Sequence, residues 1–151
     1  MESIPAAKEA EKEFSQALTA LAAEDTLAAL SHLERALKLR DFSGWYSYLG
    51  FCISKERGHY RKGLELCRES LVAEPDHPDH FLNLSRVYLI MGNKGEALRT
   101  LREGMSKGAT PELVRQLERL GKRRTPVFAA LSRNNPLNKY LGVLLSRLGL
   151  C

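Results

Sequence analysis

Residues 46 to 75 read YSYLGFCISKERGHYRKGLELCRESLVAEP. The first half of this segment places large residues around a small one, in the spacing Tyr46-x-x-Leu49-Gly50-x-x-Ile53. The second half places a small residue four positions before a larger one, at Gly63 and Cys67, and the segment ends at Pro75. Large and small residues at these intervals are typical of helices that pack closely against each other.

The same order of residue sizes returns one repeat later. It reads Phe81-x-x-Leu84-Ser85-x-x-Tyr88, then Ala97-x-x-x-Leu101, with Ala109 in the place of Pro75. The second half has a third copy upstream, so that five columns recur at a step of 34 residues: Ala29, Gly63 and Ala97; Leu30, Leu64 and Leu98; Leu33, Cys67 and Leu101; Ala36, Ser70 and Gly104; Leu37, Leu71 and Met105. A small residue lets two helix axes approach, and the large residue four positions later fills the neighbouring hole. The columns therefore predict repeated pairs of helices.

These residues resemble the tetratricopeptide repeat, which reads W-x-x-L-G-x-x-Y, then A-x-x-x-F, then P, in units of 34 residues. The resemblance covers about residues 10 to 109. Tyr46 and Phe81 stand where the family has Trp, and Ser85 replaces the Gly. The resemblance implies an all-α fold, a right-handed superhelical stack of antiparallel helix hairpins that forms a TPR-like α-solenoid.

Three hairpins and a C-terminal segment follow from this repeat. The hairpins are expected at about residues 6–41, 43–75 and 78–109, within a region spanning 1–109. Asp25 or Thr26 and Ser43 are predicted helix caps, and Gly58 and Gly92 are predicted turn residues. Residues 110–151, with helices predicted from Thr110-Pro111 to Gly121 and over 126–132 and 136–148, are expected to cap the last hairpin within the same domain.

The composition is that of a soluble globular chain. The 151 residues are 44% hydrophobic and 27% charged, which suits one domain with a sizeable core. No apolar run is long enough for a membrane span, and the N-terminus lacks a signal-like segment, so a cytoplasmic location is expected. The three cysteines match no zinc or redox spacing and are expected to be free thiols, with Cys67 in a core position.

No motif for catalysis or cofactor binding is found. The sequence has no Ser-centred elbow, no phosphate-binding Gly loop and no His-Glu-x-x-His, so we expect a non-enzyme without a cofactor. Residues typical of metal ligands cluster only in Asp76-His77-Pro78-Asp79-His80. This cluster precedes a predicted helix, where an Asp caps and the two histidines are expected to be merely exposed. We therefore expect no metal site.

The resemblance also implies a site. In the family, the non-core face of the first helix of each repeat lines a concave groove. The corresponding positions in this sequence are Tyr48, Phe51, Lys55, Leu82, Asn83, Arg86 and Ile90. Rings beside amide and cationic groups suit a peptide or helix of another protein, so the expected function is a non-catalytic protein-protein interaction scaffold. Two other readings of these positions stay open: ordinary packing, or cover by the C-terminal segment.

One subset of the family grips a C-terminal carboxylate with Lys, Arg and Asn side chains. The matching positions here are about Glu11, Ser15, Tyr48, Asp79 and Asn83. Acidic residues at two of these positions would repel a carboxylate, so this activity is not expected.

Two alternative functions concern the C-terminal segment. Residues 110–151 carry 8 Lys+Arg against 2 Asp+Glu, and the basic run at 121–126 could meet phosphates of a nucleic acid. Against this alternative, no nucleic-acid module and no row of aromatic residues accompany the run. Self-assembly into a homo-oligomer is the other alternative, through the leucines at 137, 141, 144, 145 and 148.

Overall fold

The computed structural model describes residues 3–122. This part of the chain contains seven α-helices and no strand, which confirms the predicted all-α class. The helices are α1 (Ile4–Ala22), α2 (Thr26–Leu39), α3 (Tyr46–Arg57), α4 (Tyr60–Ala73), α5 (Pro78–Ile90), α6 (Lys94–Lys107) and α7 (Pro111–Lys122), with a single 3-10 turn at Ser43–Trp45 before α3. Residues 1–114 form a first compact unit, which contains α1 to α6 and the beginning of α7.

Consecutive helices of the first unit pack in pairs. α1 packs on α2, α3 on α4 and α5 on α6, and short turns make each pair an antiparallel hairpin. α3 also packs against α2 and α5, and α4 packs against α5. The three hairpins therefore stack in chain order, as the step of 34 residues predicts.

Most helix ends lie where the sequence predicts them. At the start of α2, Asp25 Oδ1 accepts a hydrogen bond from Ala28 N at 3.0 Å. Gly58 ends α3 with φ 69°, a left-handed conformation that glycine adopts without a Cβ clash. Ser43 instead begins the 3-10 turn, and no side-chain hydrogen bond caps that turn or α3. The predicted cap at Ser43 is wrong.

The small residues of the first repeat column are buried, and the middle one lies at a close approach of two helices. Ala29 and Ala97 are fully buried, and Gly63 is buried between α3 and α4. A Cβ added at Gly63 would overlap Ser54 Oγ and lie 2.7 Å from the carbonyl oxygen of Gly50. Space, rather than backbone conformation, therefore requires glycine at this position.

A tryptophan outside the repeat columns fills the contact between the first two hairpins. Trp45 is 4% exposed, and its ring stacks on Phe14 with centroids 4.7 Å apart. The ring of Phe42 meets Trp45 edge-on at 5.4 Å. The repeat pattern assigns the aromatic position to Tyr46, which is only half-buried, and so misses the larger anchor one residue earlier.

Of the predicted helices within residues 110–151, the structure describes the first. α7 covers the predicted helix from Pro111 to Gly121 and is described as far as Lys122. The helices predicted over 126–132 and 136–148, most of the basic run and the leucine-rich segment lie outside the described residues. Within 3–122, none of the helices has the length and the apolar character that crossing a membrane requires.

Candidate functional site

The seven predicted groove residues lie on α3 and α5, the first helices of adjacent hairpins, and they differ in accessibility. Four of them retain exposed side-chain surface: Lys55 is exposed, and Phe51, Arg86 and Ile90 are half-buried. The other three are buried: Tyr48, Leu82 and Asn83. The predicted set therefore divides into an accessible part and a buried part.

The accessible part spans the contact between α3 and α5. The guanidinium carbon of Arg86 lies 5.1 Å from the centroid of the Phe51 ring, within cation–π range. Arg86 Nη1 also donates to Asn83 Oδ1 at 3.5 Å. Lys55 follows Phe51 by one helical turn, and Ile90 follows Arg86 by one turn, so each pair shares a helix face. Apolar area and two positive charges thus lie side by side.

Tyr48 uses its polar group inside the fold. Its hydroxyl donates to Asp79 Oδ2 at 2.9 Å, and its ring meets the ring of Phe14 edge-on at 5.2 Å. Burial, followed by the negative charge of Asp79, raises the pKa of Tyr48, so the hydroxyl stays protonated and keeps donating. Tyr48 and Asp79 therefore bond to each other, although both occupy positions that a carboxylate-binding repeat would use for its ligand.

A directed chain of hydrogen bonds joins the second and third hairpins beneath this surface. Asn83 Nδ2 donates to Ser47 Oγ at 3.0 Å. Ser47 Oγ lies 2.7 Å from His80 Nδ1, and His80 Nε2 lies 2.8 Å from Glu74 Oε1. Because a carboxylate only accepts, His80 donates from Nε2, and its Nδ1 accepts from the Ser47 hydroxyl. Burial lowers the pKa of His80, which keeps the ring neutral at pH 7.

Ser47 also connects the start of α3 to α4. Ser47 N donates to Ser70 Oγ at 2.8 Å, and Ser70 Oγ donates to Ser43 O at 2.7 Å. The amide of Ser47 belongs to the first turn of α3, where the helix offers it no acceptor of its own. Ser70 thus supplies from α4 the cap that α3 lacks. Across the part of the chain that the structure describes, every buried side-chain nitrogen and oxygen has a partner.

The expectation that both histidines of the 76–80 cluster are merely exposed is wrong for His80. Its side chain is fully buried, whereas His77 caps α5 by accepting from Asp79 N at 3.2 Å. A signal for this burial does exist in the sequence. His80, Leu84 and Val87 fall at helical spacing i, i+4 and i+7, which is the core stripe of α5.

The hydrogen bonds link Ser47, His80 and Glu74 in the order of a nucleophile, a base and an orienting acid. The surroundings of these residues do not suit catalysis. Ser47 is fully buried, so its oxygen cannot reach a substrate. The same oxygen already accepts a hydrogen bond from Asn83 and donates one to His80. This arrangement therefore serves packing between hairpins.

Two cysteines of the described chain are inert by their environment. Cys52 and Cys67 are fully buried free thiols, which confirms the predicted core position of Cys67. Burial raises the pKa of Cys52 to about 12 and also raises that of Cys67. Within residues 3–122, no group of three His, Cys, Asp or Glu side chains is placed to hold a metal ion.

These features define an all-α helical-repeat solenoid. No family model matches the sequence. The chain is similar in structure to the TPR domain of OM64 from Arabidopsis, with a TM-score of 0.58 and 13% sequence identity, over 78% of this chain and 98% of that one. It is also similar to the Sgt2 TPR domain from Aspergillus fumigatus, with a TM-score of 0.57 and 17% identity, over 87% of this chain and 93% of that one.

The fold is that of tetratricopeptide repeat domains, which confirms the resemblance drawn from the repeat columns. A third similar structure is an O-GlcNAc transferase from Thermobaculum terrenum, with a TM-score of 0.65 and 18% identity. That match covers 97% of this chain and 27% of the transferase. The fold therefore matches both structures of TPR domains and part of a larger enzyme chain.

Proposed function

We propose that this chain is a non-catalytic protein-interaction module that binds a peptide or a helical segment of another protein. The segment would lie along the accessible side of α3 and α5. One observation carries the proposal: Phe51, Lys55, Arg86 and Ile90 offer apolar area and positive charge together. The polar groups beneath them bond to one another, so the partner contacts a fixed surface rather than competing for internal hydrogen bonds.

The chemistry of the partner follows from this surface. A guanidinium and an ammonium favour carboxylates, and Arg binds a carboxylate through two parallel hydrogen bonds where geometry allows. Phe51 and Ile90 favour an apolar side chain between those carboxylates. We therefore expect a segment in which acidic and apolar residues alternate at short intervals.

We also propose a cytoplasmic location. Its support is the pair of buried free thiols, Cys52 and Cys67, because unpaired cysteines suit a reducing compartment.

Selection from a displayed library of random peptides tests the proposed binding face. We expect enriched peptides to carry Asp or Glu beside large apolar residues, and Lys55→Glu to weaken their binding about tenfold or more by reversing one charge. The matched control is Lys62→Glu, the same charge change at an exposed position of α4. It should leave the dissociation constant unchanged, and both variants should keep the helical circular dichroism of the wild type.

Two results would contradict the proposal. The first is a set of enriched peptides with no acidic residues. The second is a set of peptides that the Lys55→Glu and Lys62→Glu variants bind equally well.

A further inference from the structure

His80 lies at the centre of the contact that carries the proposed binding face. The chain has four histidines, all of them within the described residues, and His80 is the one whose side chain is fully buried. It joins three elements, because its ring bonds to Ser47 of α3 and to Glu74 at the end of α4 while its backbone belongs to α5.

The groups that face the imidazole come from each of these elements. The Tyr48 ring of α3 meets it edge-on with centroids 6.2 Å apart. The His77 ring stacks on it at 4.6 Å, and Asp79 lies beside it in the first turn of α5. The carboxylate of Glu74 accepts from Nε2, but its side chain is 38% exposed to solvent. A positive charge on His80 would therefore have one hydrogen-bonded counter-charge, and that carboxylate is partly exposed to solvent.

A second proton on the ring would reverse one hydrogen bond of the chain. It would add to Nδ1, which now accepts from the Ser47 hydroxyl, and would turn Nδ1 into a donor. Ser47 Oγ would then face two donors, Nδ1–H of His80 and Nδ2–H of Asn83, and its own proton would have to move to another acceptor. The neighbouring His77 also opposes a positive charge on this ring and, after burial, lowers the pKa of His80.

We propose that His80 is a proton-sensitive switch between the second and third hairpins, so that acidification loosens the α3–α5 contact and weakens binding along that face. The loosening follows from the hydrogen-bond geometry. The loss of binding rests, in addition, on the proposed function.

The direction of the effect follows from burial. Because burial lowers the pKa of His80 from the ordinary 6.5, the unfolded chain takes up this proton at a higher pH than the folded chain. The stabilisation is thus complete above about pH 6.5 and decreases as the pH falls below it. One proton of difference lowers the folding equilibrium constant by up to about tenfold per pH unit in this window.

Imidazole nitrogen NMR on the wild-type chain is the first test. We expect His80 to carry its proton on Nε2 and to titrate below pH 6.5. We also expect the folding equilibrium constant, measured by urea unfolding, to fall several-fold between about pH 7 and about pH 5.5. A His80 ring that titrates at or above its ordinary pKa, or that carries its proton on Nδ1, would overturn the switch.

Replacement of the histidine is the second test. His80→Gln removes the titration, so the pH dependence of stability in this window should shrink even if the variant is less stable throughout. The matched control is His59→Gln, at an exposed position, which should keep the wild-type pH dependence. Equal pH dependence in the wild type and in both variants would assign the effect to other groups and reject the proposal.

Affinity for a selected acidic peptide, measured over the same pH range, separates the two parts of the proposal. Affinity that falls together with stability supports both parts. Affinity that stays constant while stability falls overturns the link to binding and leaves the switch within the fold. If no peptide binds at any pH, the proposed function fails, and the NMR and unfolding results still decide the switch.

Discussion

The two contacts between neighbouring hairpins are built from different chemistry. Between the first and second hairpins, Phe14 stacks on a buried Trp45. Between the second and third, Ser47, His80 and Asn83 form a chain of hydrogen bonds. The first contact is centred on stacked aromatic rings, and the second adds to its apolar cluster a chain of donors and acceptors with a fixed direction. Repeats of one fold are thus joined by two kinds of interaction, and these should respond differently to truncation and to pH.

The largest effect is expected from truncating the aromatic contact. Trp45→Ala removes a buried ring stacked on Phe14 and should cost about 3–5 kcal/mol of unfolding free energy. The loss should be the same at about pH 7.5 and about pH 5.5, because no titrating group of the contact changes charge between these values. Since Trp45 is the chain's single tryptophan, urea unfolding should be followed by circular dichroism. A loss under about 1 kcal/mol, or one that changes with pH, would contradict this account.

A smaller effect is expected from breaking the polar contact. Ser47→Ala leaves His80 Nδ1 and Asn83 Nδ2 without their shared partner, which should cost about 1–3 kcal/mol. Thiol labelling in a Cys151→Ser background can localise the loss. Cys67 packs with residues of the third hairpin and Cys52 with residues of the first, so labelling of Cys67 should accelerate more.

Ser54→Ala is the matched control for this prediction. The Ser54 hydroxyl is also buried on α3, but it bonds to the carbonyl oxygen of Gly50 within the same helix, at 2.7 Å. Its removal should cost less and should leave the relative labelling of Cys52 and Cys67 unchanged. Equal acceleration at both cysteines in Ser47→Ala would show that the polar contact does not open separately.

The smallest effect is expected from the titration of Glu13 at acidic pH, which changes neither contact directly. The hydrogen bond from His32 and then the charge of Arg35 lower the pKa of Glu13, a residue of the first hairpin. Its stabilising contribution is therefore present above pH 4.5 and is lost as the pH falls below that value. Glu13→Gln should make the loss of stability below about pH 4.5, measured by urea unfolding, shallower than in the wild type. An unchanged slope below about pH 4.5 in the variant would contradict this assignment.

The fold could be predicted because its determinants are local and repeat. Ala29, Gly63 and Ala97 form a column of small residues, and each of them is buried. The sequence itself shows side chains of similar size at a fixed step, so the repeat can be recognised without knowing which helices touch. The helix ends at Asp25 and Gly58 can be predicted for the same reason, because at each of them one residue determines the local geometry.

The candidate site could be predicted only in part, because it depends on pairings between distant residues. The family pattern placed Tyr48 and Asn83 in the groove, but the hydroxyl of Tyr48 bonds to Asp79 and the amide of Asn83 bonds to Ser47. Such bonds join residues of different hairpins, and the spacing of these residues along the sequence does not indicate which of them pair. The repeat pattern does not identify Trp45, because this residue lies one position before the repeat column.

The close approach at Gly63 limits how this chain can be redesigned. The other two copies have alanine in that column, at positions 29 and 97. A consensus repeat obtained by averaging the three copies would therefore place alanine at position 63. The added methyl group would overlap Ser54 Oγ and press on the backbone of Gly50. Idealised versions of this domain must therefore keep the glycine of the middle repeat, because a change at Ser54 alone would leave the methyl group against the backbone carbonyl oxygen of Gly50.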